Sequence, residues 1–344
     1  MIIDQKMCVS WPRVFPHAVT GPRVALAPMS GITDVALRRI AMGFGASYVV
    51  SEMVASDEFV RGHEETRLRA EGRGVVPHIV QLAGCEPVWL ADAARLAEAS
   101  GADVIDINMG CPAKRVTGGW AGSALMRHLD HAVALVDATV RATSLPVTVK
   151  MRLGWDDESR NAPVLAMRAV GAGARVITVH GRTRQQFYKG KADWSAIAGV
   201  RAAIPGTPLV ANGDIETLCD AQACLKASGA DGVMIGRAAL GRPWLPGLMV
   251  QALREGVMPP EPQLDIKLAA TIEHYESLLQ AMGAAAGLRH ARKHLAAALD
   301  DASLQGAARA RQLKQPVCTS DDPRQVISLL QEAFAHQPSA SAAA

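Results

Sequence analysis

Residues 146–180, PVTVKMRLGWDDESRNAPVLAMRAVGAGARVITVH, decide the fold that the sequence predicts. The two ends, PVTVKM and RVITVH, are short apolar runs rich in β-branched residues, which is typical of buried strands. Between them, APVLAMRAVGAGA has the Ala- and Leu-rich spacing of a helix, and its glycines suit a left-handed C-cap. The stretch therefore predicts one strand–helix–strand unit.

The same unit repeats along most of the chain. Eight apolar runs recur, separated by helical stretches: RVALAP, SYVVSE, PHIVQL, DVIDIN, PVTVKM, RVITVH, PLVANG and DGVMIG. Eight repeats predict a (β/α)8 TIM barrel. A doubly wound sheet is the alternative, but eight repeats in about 230 residues, with polar residues at most strand ends, favour closure.

A helical domain is predicted after the barrel. Beyond the proline-punctuated segment REGVMPPEPQ, residues 254–263, the sequence carries no strand pattern and reads as helices. We therefore predict a barrel domain over residues 1–253, a C-terminal helical domain over 254–335 and a flexible tail over 336–344.

The composition is that of a mildly basic globular protein. Of 344 residues, 49% are hydrophobic, and the formal net charge is +3. The N-terminus lacks the apolar core of a signal peptide, and no run reaches the apolar length of about 20 residues that a membrane span needs. We expect a cytoplasmic protein with no membrane partner. The six cysteines form no CxxC pair or zinc-ligand spacing, so most are expected to be inert.

Polar residues end nearly every predicted strand. A (β/α)8 barrel assembles its active site at the C-terminal ends of its strands. One polar residue after a strand is more often a cap or a turn, but eight strand ends together indicate a site. The candidates are Pro28, Met29, Ser30, Ser51, Glu52, Gln81, Asn108, Cys111, Lys150, Arg152, His180, Arg182, Asn212, Gly213, Asp214, Gly236 and Arg237.

The last two strand ends predict a phosphate site. Loops after strands seven and eight of this fold often bind phosphate, because glycine lets the backbone approach the anion. Asn212 and the amides of Gly213 and Gly236 would donate hydrogen bonds. Arg237 would add charge-assisted ones. The alternative is two ordinary glycine turns.

Lys150 and His180 end two neighbouring strands. Lys150 follows an apolar run, so its ammonium group must face the barrel mouth or an anionic partner. Beside a flavin it could stabilise negative charge on the reduced ring. The alternative is a salt bridge to Glu52 or Asp106. His180 could bind the same cofactor or donate a proton, although a lone histidine is more often a structural hydrogen-bonding residue.

Cys111 stands on a glycine-rich loop, three residues after Asn108 and directly before Pro112. The proline fixes the loop and leaves the thiol at its tip. The other five cysteines are expected to be buried as small hydrophobic residues. The basic residues Lys114, Arg115 and Arg152 would favour a reactive thiol, as a nucleophile or an acid.

Short motifs run in order from about residue 25 to residue 244, and LRHARKHLAAAL follows in the helical segment. They are APMSGITD, SEMV, QLAG, DINMGCPAKRV, GSALM, VKMRLGWDD, VHGRTRQQFYKGKADW, ANGDI and GVMIGRAALGRPW. In order and spacing, this set resembles the tRNA-dihydrouridine synthases, most closely their bacterial B-type branch. Ser30 is a departure, since alanine is more usual there, but serine is also small.

The resemblance implies an FMN enzyme that reduces the C5=C6 bond of particular uridines in tRNA, with NADPH or NADH as electron source. Hydride would go to C6, and Cys111 would protonate C5. Asn108 would belong to the uracil site, and position 17 of the D-loop is the leading candidate for the modified uridine. The residues that would hold FMN are Pro28, Met29, Ser30, Gln81, Lys150, His180, Asn212, Gly213, Asp214, Gly236 and Arg237.

The helical segment carries a basic face and two histidines. Arg289, Arg292 and Lys293, at i, i+3 and i+4, could track a tRNA backbone, or they could form a solvated surface. His290 and His294, at i and i+4, lack the glutamate of HExxH and any obvious third ligand. No metal site is therefore expected.

Two other functions stay open from the sequence. One is an FMN barrel that acts on a small molecule, as in the related dihydroorotate dehydrogenases, but a small substrate would not require the basic helical domain. The other is a non-catalytic flavin- or RNA-binding regulatory protein, which the presence of Cys111 and Lys150 argues against.

Overall fold

The structure is a computed structural model that describes residues 23–335. The predicted tail over residues 336–344, Cys8 and the first 22 residues of the predicted barrel domain lie outside the described residues.

Residues 48–55 close the sheet, because the two halves of this stretch pair with two different strands. β1 (Arg23–Leu26) pairs in parallel with β2 (Tyr48–Val49), and β3 (Met53–Ala55) pairs in parallel with β4 (Ile79–Ala83). Only three residues separate β2 from β3. These two strands are also the two edges of the nine-stranded sheet. The edges are therefore joined, and β2 and β3 together form one strand of an eight-stranded barrel.

The remaining strands follow in chain order around the barrel, each parallel to its neighbours. They are β5 (Val104–Met109), β6 (Val147–Arg152), β7 (Val176–His180), β8 (Leu209–Asn212) and β9 (Gly232–Ile235), and β9 pairs with β1. All eight predicted strands are present. The (β/α)8 barrel is confirmed, and closure excludes the doubly wound alternative.

Alternation along each strand decides which side chains reach the barrel interior. In β6, Val149 and Met151 are fully buried in the cluster that packs under the outer helices. Side chains alternate across a strand, so Lys150 and Arg152 face the opposite way, into the barrel. Burial of each such valine or methionine contributes about 1.5–3 kcal/mol. Packing of Val149 and Met151 under the outer helices thus directs Lys150 and Arg152 into the barrel.

Helices cover the outside of the barrel. They are α1 (Val35–Gly43), α2 (Ser56–Val60), α3 (Glu64–Ala70), α4 (Pro87–Ala99), α5 (Lys114–Thr117), α6 (Leu129–Ala142), α7 (Ala162–Gly171), α8 (Trp194–Ala203), α9 (Leu218–Ser228) and α10 (Leu245–Glu255). Short 3-10 helices lie at Gly122–Arg127 and Arg237–Ala239. In α9, Thr217 and Asp220 form a capping box, and Gly229 ends the helix with φ 63°. The left-handed C-cap that the sequence pattern predicts belongs to α7, which is followed by Gly173 with φ 108°.

Up to residue 335, four helices follow the barrel: α11 (Leu264–Met282), α12 (Ala284–Leu304), α13 (Ala310–Thr319) and α14 (Pro323–Phe334). They bury an apolar cluster of their own, which includes Leu278, Leu295 and Leu330. The predicted boundary at residue 253 falls inside α10, which continues to Glu255. The division into domains stays a prediction.

Polar contacts hold the helical segment against the barrel. On α11, His274 Nε2 lies 2.9 Å from Asp34 Oδ2, and Glu273 pairs with Arg39 at 3.0 Å. Among residues 23–335, no helix combines the length and the apolar character that crossing a membrane requires.

Candidate functional site

A cavity of about 470 Å³ opens at the C-terminal ends of the barrel strands. This volume lies within the usual range for small-molecule sites. The catalytic, cofactor and uracil candidates of the barrel all line it: Pro28, Met29, Ser30, Gln81, Asn108, Cys111, Lys150, His180, Asn212, Gly213, Asp214, Gly236 and Arg237. Arg289, Arg292 and Lys293 are not among the lining residues.

A chain of buried amides and a carboxylate connects β4, β5 and β6. Gln81 Nε2 donates to Asp106 Oδ2 at 2.7 Å, and Asn108 Nδ2 donates to Gln81 Oε1 at 2.7 Å. Thr148 Oγ1 donates to Asp106 Oδ1 at 2.6 Å. Burial raises the pKa of Asp106, and the bonds from Gln81 and Thr148 oppose that rise. The chain fixes the orientation of the Asn108 side chain.

Asn108 in turn fixes the loop that carries Cys111. Its Oδ1 accepts from the amides of Gly110, at 3.1 Å, and Cys111, at 2.9 Å. From the other side, the amide and hydroxyl of Ser123 both donate to the Cys111 carbonyl, at 3.0 and 2.9 Å. Gly122 has φ 61°, and a Cβ there would lie 2.8 Å from the Cys111 carbonyl oxygen. The half-buried thiol therefore stands on a rigid loop at the cavity.

Arg152 is a structural residue of the same loop. Its Nε donates to the carbonyl of Gly110 at 2.8 Å, and its Nη1 donates to the carbonyls of Thr183 and Phe187 at 2.9 and 2.8 Å. The guanidinium group thus ties the Cys111 loop to the loop after β7.

The Lys150 ammonium group faces the cavity and forms no ion pair within the described residues. The two carboxylates that the sequence offered as partners have other partners. Asp106 is bonded by Gln81 and Thr148, and Glu52 accepts from the Gly31 amide. Burial, reinforced by the nearby Arg152 charge, lowers the pKa of Lys150 to about 8. The salt-bridge alternative is therefore not observed.

His180 is buried beside a cationic side chain. Its Nε2 lies 3.3 Å from Arg182 Nη1. Burial, together with the charges of Arg152 and Lys150, lowers the pKa of His180 well below its usual value. The imidazole is therefore neutral at physiological pH, with Nε2 as an acceptor for Arg182.

The end of β8 has a backbone conformation that favours glycine. Gly213 has φ 117°, and a Cβ there would lie 2.8 Å from His180 Cδ2 and 2.9 Å from Ala192 Cβ. The Asn212 Nδ2 donates one of its two hydrogens to the Met234 carbonyl at 2.8 Å and so joins β8 to β9. Its role as a phosphate donor stays a prediction.

Asp214 and Arg237 interact with each other at the cavity rim. Asp214 binds Arg182 through both carboxylate oxygens, at 2.9 and 2.5 Å, and lies 3.3 Å from Arg237 Nη2. Burial alone would raise the pKa of Asp214, but the hydrogen bonds from Arg182 and the Ala192 amide, together with the charges of Arg182 and Arg237, lower it. The Arg237 side chain remains 60% exposed. Asp214 therefore orients arginines, and Arg237 is accessible to a ligand.

An aromatic pair at the cavity rim was not predicted from the sequence. Phe187 and Tyr188 line the cavity and are exposed. Phe187 has φ 54°, a left-handed value unusual for an aromatic residue. The centroid of the Tyr188 ring lies 5.0 Å from the guanidinium carbon of Arg237 and 5.6 Å from that of Arg152. Two adjacent aromatic residues within the basic run RTRQQFYKGK were the pattern that could have predicted this rim.

The three basic residues of α12 have different surroundings. Arg289 is exposed, and Arg292 pairs with Asp321 at 2.9 Å. Lys293 turns toward the barrel, where its Nζ would lie 3.2 Å from a Cβ placed on Gly31. Burial lowers the pKa of Lys293, while the carboxylates of Glu52 and Asp34 oppose that change. Lys293 therefore reaches the loop that carries Pro28, Met29 and Ser30.

The histidines of α12 have a neighbour that their sequence spacing did not reveal. Asp34, at the start of α1, offers a carboxylate oxygen, and this atom and one ring nitrogen each of His290 and His294 lie within 4.8 Å of one another. The fold thus supplies the third potential ligand that was missing from the sequence.

The cysteines other than Cys111 differ in burial. Cys224 is buried, as expected, and burial raises its pKa to about 12. Cys85 and Cys318 are half-buried, but Cys219 is exposed, so the expectation of burial is wrong for it. Cys219 lies in the first turn of α9, which faces away from the core at this position.

Comparison with known proteins gives consistent matches over most of the chain. Residues 25–337 match the family described as dihydrouridine synthase (Dus). A probable tRNA-dihydrouridine synthase of Rhizobium leguminosarum bv. phaseoli is 51% identical over 312 residues, which is 91% of this chain and 95% of the relative. One of Rhodobacter capsulatus is 47% identical and covers 93% and 97%. The tRNA-dihydrouridine synthase B of Xanthomonas campestris pv. campestris is 44% identical and covers 82% and 85%.

Proposed function

The chain belongs to the dihydrouridine synthase family, and from this premise we propose that it reduces uridines of tRNA to 5,6-dihydrouridine. One observation carries the proposal. The Cys111 thiol, the Lys150 ammonium group and the glycine-containing ends of β8 and β9 face one cavity. An acid, a cation and an anion site are the groups that a flavin-dependent reduction of a pyrimidine requires.

The cavity residues fit flavin mononucleotide. The amides of Gly213 and Gly236 have no acceptor within residues 23–335, and the Arg237 side chain is largely exposed. Backbone amides and guanidinium groups are strong donors to phosphate. We therefore propose that the phosphate lies at the ends of β8 and β9, and that NADPH, or NADH, is the reductant. The ring system would contact residues of the other strand ends: Pro28, Met29, Ser30, Gln81, Lys150 and His180.

A reduced flavin in this cavity would supply the hydride for C6 of the uracil. The Cys111 thiol donates the proton that C5 requires, which adds two hydrogens across the double bond. Lys150 provides positive charge close to the reacting groups. Asn108 holds the Cys111 loop through Oδ1, and the second hydrogen on its Nδ2 is left to bind the uracil.

The tRNA must present an unstacked base to this cavity, because a stacked uridine cannot enter a barrel mouth. Arg289 and Lys293 lie on α12, which packs beside the β1–α1 loop, and we propose that they contact phosphates together with Arg292. Position 17 of the D-loop is the proposed site of modification, by similarity to the B-type branch.

Mass spectrometry of tRNA tests the proposal. A tRNA transcript that carries no modified bases is incubated with purified protein, FMN and NADPH. We expect one uridine to gain two hydrogens, and fragment analysis locates it. A matched transcript with cytidine at that position should remain unchanged. If the protein oxidises NADPH but leaves every uridine intact, tRNA is not its substrate.

A further inference from the structure

Three histidines and one aspartate meet where α11 and α12 pack on the start of α1. His274 Nε2 lies 2.9 Å from Asp34 Oδ2. The His294 ring packs against His274 at a centroid distance of 4.5 Å and stacks with His290 at 5.8 Å. His274 and His294 are only 6% and 5% exposed. The cluster lies outside the cavity described above and has no role in the proposed reduction.

Three ring nitrogens of this cluster have no hydrogen-bond partner within the described residues. Both ring nitrogens of His294 and Nε2 of His290 are buried and unbonded. Leaving a buried polar atom unpaired is costly, so such atoms in a well-packed protein usually indicate a bound ion or water. His294 is the strongest case, because both of its ring nitrogens are buried without a partner among residues 23–335.

We propose that Asp34, His290 and His294 bind one divalent ion of the Zn²⁺ type. The i, i+4 spacing places both imidazoles on one face of α12, and the aspartate completes a set of two nitrogens and one oxygen within 4.8 Å. Zn–N and Zn–O bonds of about 2.0–2.2 Å require these atoms to converge by side-chain rotation. His274 contacts the carboxylate and would orient it, as residues around a metal's ligands commonly do.

The number of protein ligands suits a four-coordinate ion. With three protein ligands, tetrahedral Zn²⁺ needs one further position for water, whereas an octahedral Fe²⁺ site would need three. A cavity of about 20 Å³ adjoins the cluster, but His274 and His294 line it and Asp34 and His290 do not.

The local charges both favour and oppose a cation. Asp34 contributes a negative charge, and Glu52 lies close enough to influence Lys293. Lys293 brings a positive charge that also acts on His290. We therefore expect Lys293→Met to bind the metal more tightly than the parent protein.

The ion would join the barrel to the helical segment. Asp34 belongs to the barrel and caps α1, since its Oδ1 accepts from the amides of Ala36 and Leu37 at 3.0 and 3.1 Å. His290 and His294 belong to α12. A ligand that binds only the folded, docked form stabilises that form, so the metal should raise the unfolding temperature.

The test is metal binding by the untagged full-length protein after removal of bound metal with a chelator. We expect one equivalent of Zn²⁺, a rise in unfolding temperature, and the visible absorption of tetrahedral Co²⁺ when cobalt replaces zinc. His290→Ala and His294→Gln should weaken Zn²⁺ binding by about a hundredfold or more, since even changes around the ligands cost 10- to 100-fold.

Two variants separate ligand loss from misfolding. Asp34→Asn keeps an N-cap acceptor for α1 but removes the carboxylate, so it should fold and lose the metal. His63→Gln removes an exposed histidine elsewhere and should bind as the parent does. If the parent binds no stoichiometric metal, or if the ligand variants bind as tightly as the parent, the proposal is wrong.

Discussion

At the scale of single residues, Cys111 is the group on which the proposed chemistry depends most directly. Its loop is held by Asn108, Ser123 and Arg152. None of these bonds involves the thiol, so changing the side chain should leave the loop in place. The role of the thiol can therefore be measured separately from its position.

We predict that Cys111→Ala and Cys111→Ser retain FMN and still oxidise NADPH slowly with oxygen. Both should form dihydrouridine about a hundredfold more slowly, because general acid catalysis is lost. Serine should not rescue the rate, since a hydroxyl is a much weaker acid than a thiol, whose pKa is ordinarily near 8.5. Single-turnover assays of dihydrouridine provide the measurement. A parental rate in either variant would make Cys111 a structural thiol.

Lys150 predicts a dependence of the reaction on pH. Its pKa is lowered to about 8, so its positive charge is present below that pH and is lost above it. The rate of uridine reduction should therefore fall as the pH rises through about 8, and a nearby anionic ring would move this fall to higher pH.

The matched comparison is Lys150→Met, which should reduce uridine slowly at every pH and should lack the alkaline fall in rate.

The folding stability of the parent protein should rise with pH over the range in which its reaction rate falls. Between pH 8 and the ordinary lysine pKa of 10.5 the unfolded chain binds the extra proton, so the Lys150 contribution to unfolding free energy rises with pH. An alkaline fall of equal size in Lys150→Met would assign it to another group.

At the scale of strands and loops, the sequence predicted where polar residues would meet but not which contacts they would make. Lys150 and Cys111 could be assigned to one site because parallel barrel strands bring their C-terminal ends together. The donation from Asn212 to the Met234 carbonyl could not be predicted, since it depends on the register between β8 and β9. For the same reason, the bonds between Asp214 and Arg182 could not be predicted, and the role of Asp214 in holding the cofactor stays a prediction.

Gly213→Ala should weaken flavin retention and destabilise the protein by about 1–3 kcal/mol, because the new Cβ meets His180 and Ala192 and φ is left-handed. Gly256→Ala is the control: Gly256 also has positive φ, 80°, but has open space around its Cβ position. It should cost about 1–2 kcal/mol and leave flavin unaffected. Denaturant unfolding and flavin absorbance measure the two effects. Equal flavin loss in both variants would contradict a specific role for Gly213.

At the scale of the whole molecule, the least predictable features join distant parts of the chain. Asp34 and His290 are separated by 256 residues along the sequence (290 − 34), and nothing in their local patterns indicates that they meet. The packing of α11 on α1, and of α12 on α11, brings them together. By contrast, the order of strands and helices follows from local periodicity, which explains why the fold could be predicted and this cluster could not.

Changing Arg289, Arg292 and Lys293 together to Ala should weaken tRNA binding and reduce its salt dependence, with flavin content unchanged. Each lost phosphate contact lowers the slope of log affinity against log salt by about 0.7–0.9. Because Arg292 already pairs with Asp321, we expect Arg289→Ala and Lys293→Ala to account for most of the change. Binding titrations at several salt concentrations measure it. An unchanged slope would assign these side chains to an ordinary solvated surface.

The pairing of β1 with β9 has a consequence for how the protein forms during synthesis. Arg23 lies opposite Gly232, 209 residues later (232 − 23), so β1 emerges from the ribosome long before its partner exists. Val24 and Leu26 are fully buried in the finished barrel. Until β9 exists, they lack the neighbouring strand on one side. A nascent chain that is stopped before β9 should therefore expose the unpaired apolar edge of β1, which chaperones recognise. In a chain that is stopped just after α10, β9 should already pair with β1 and cover this edge.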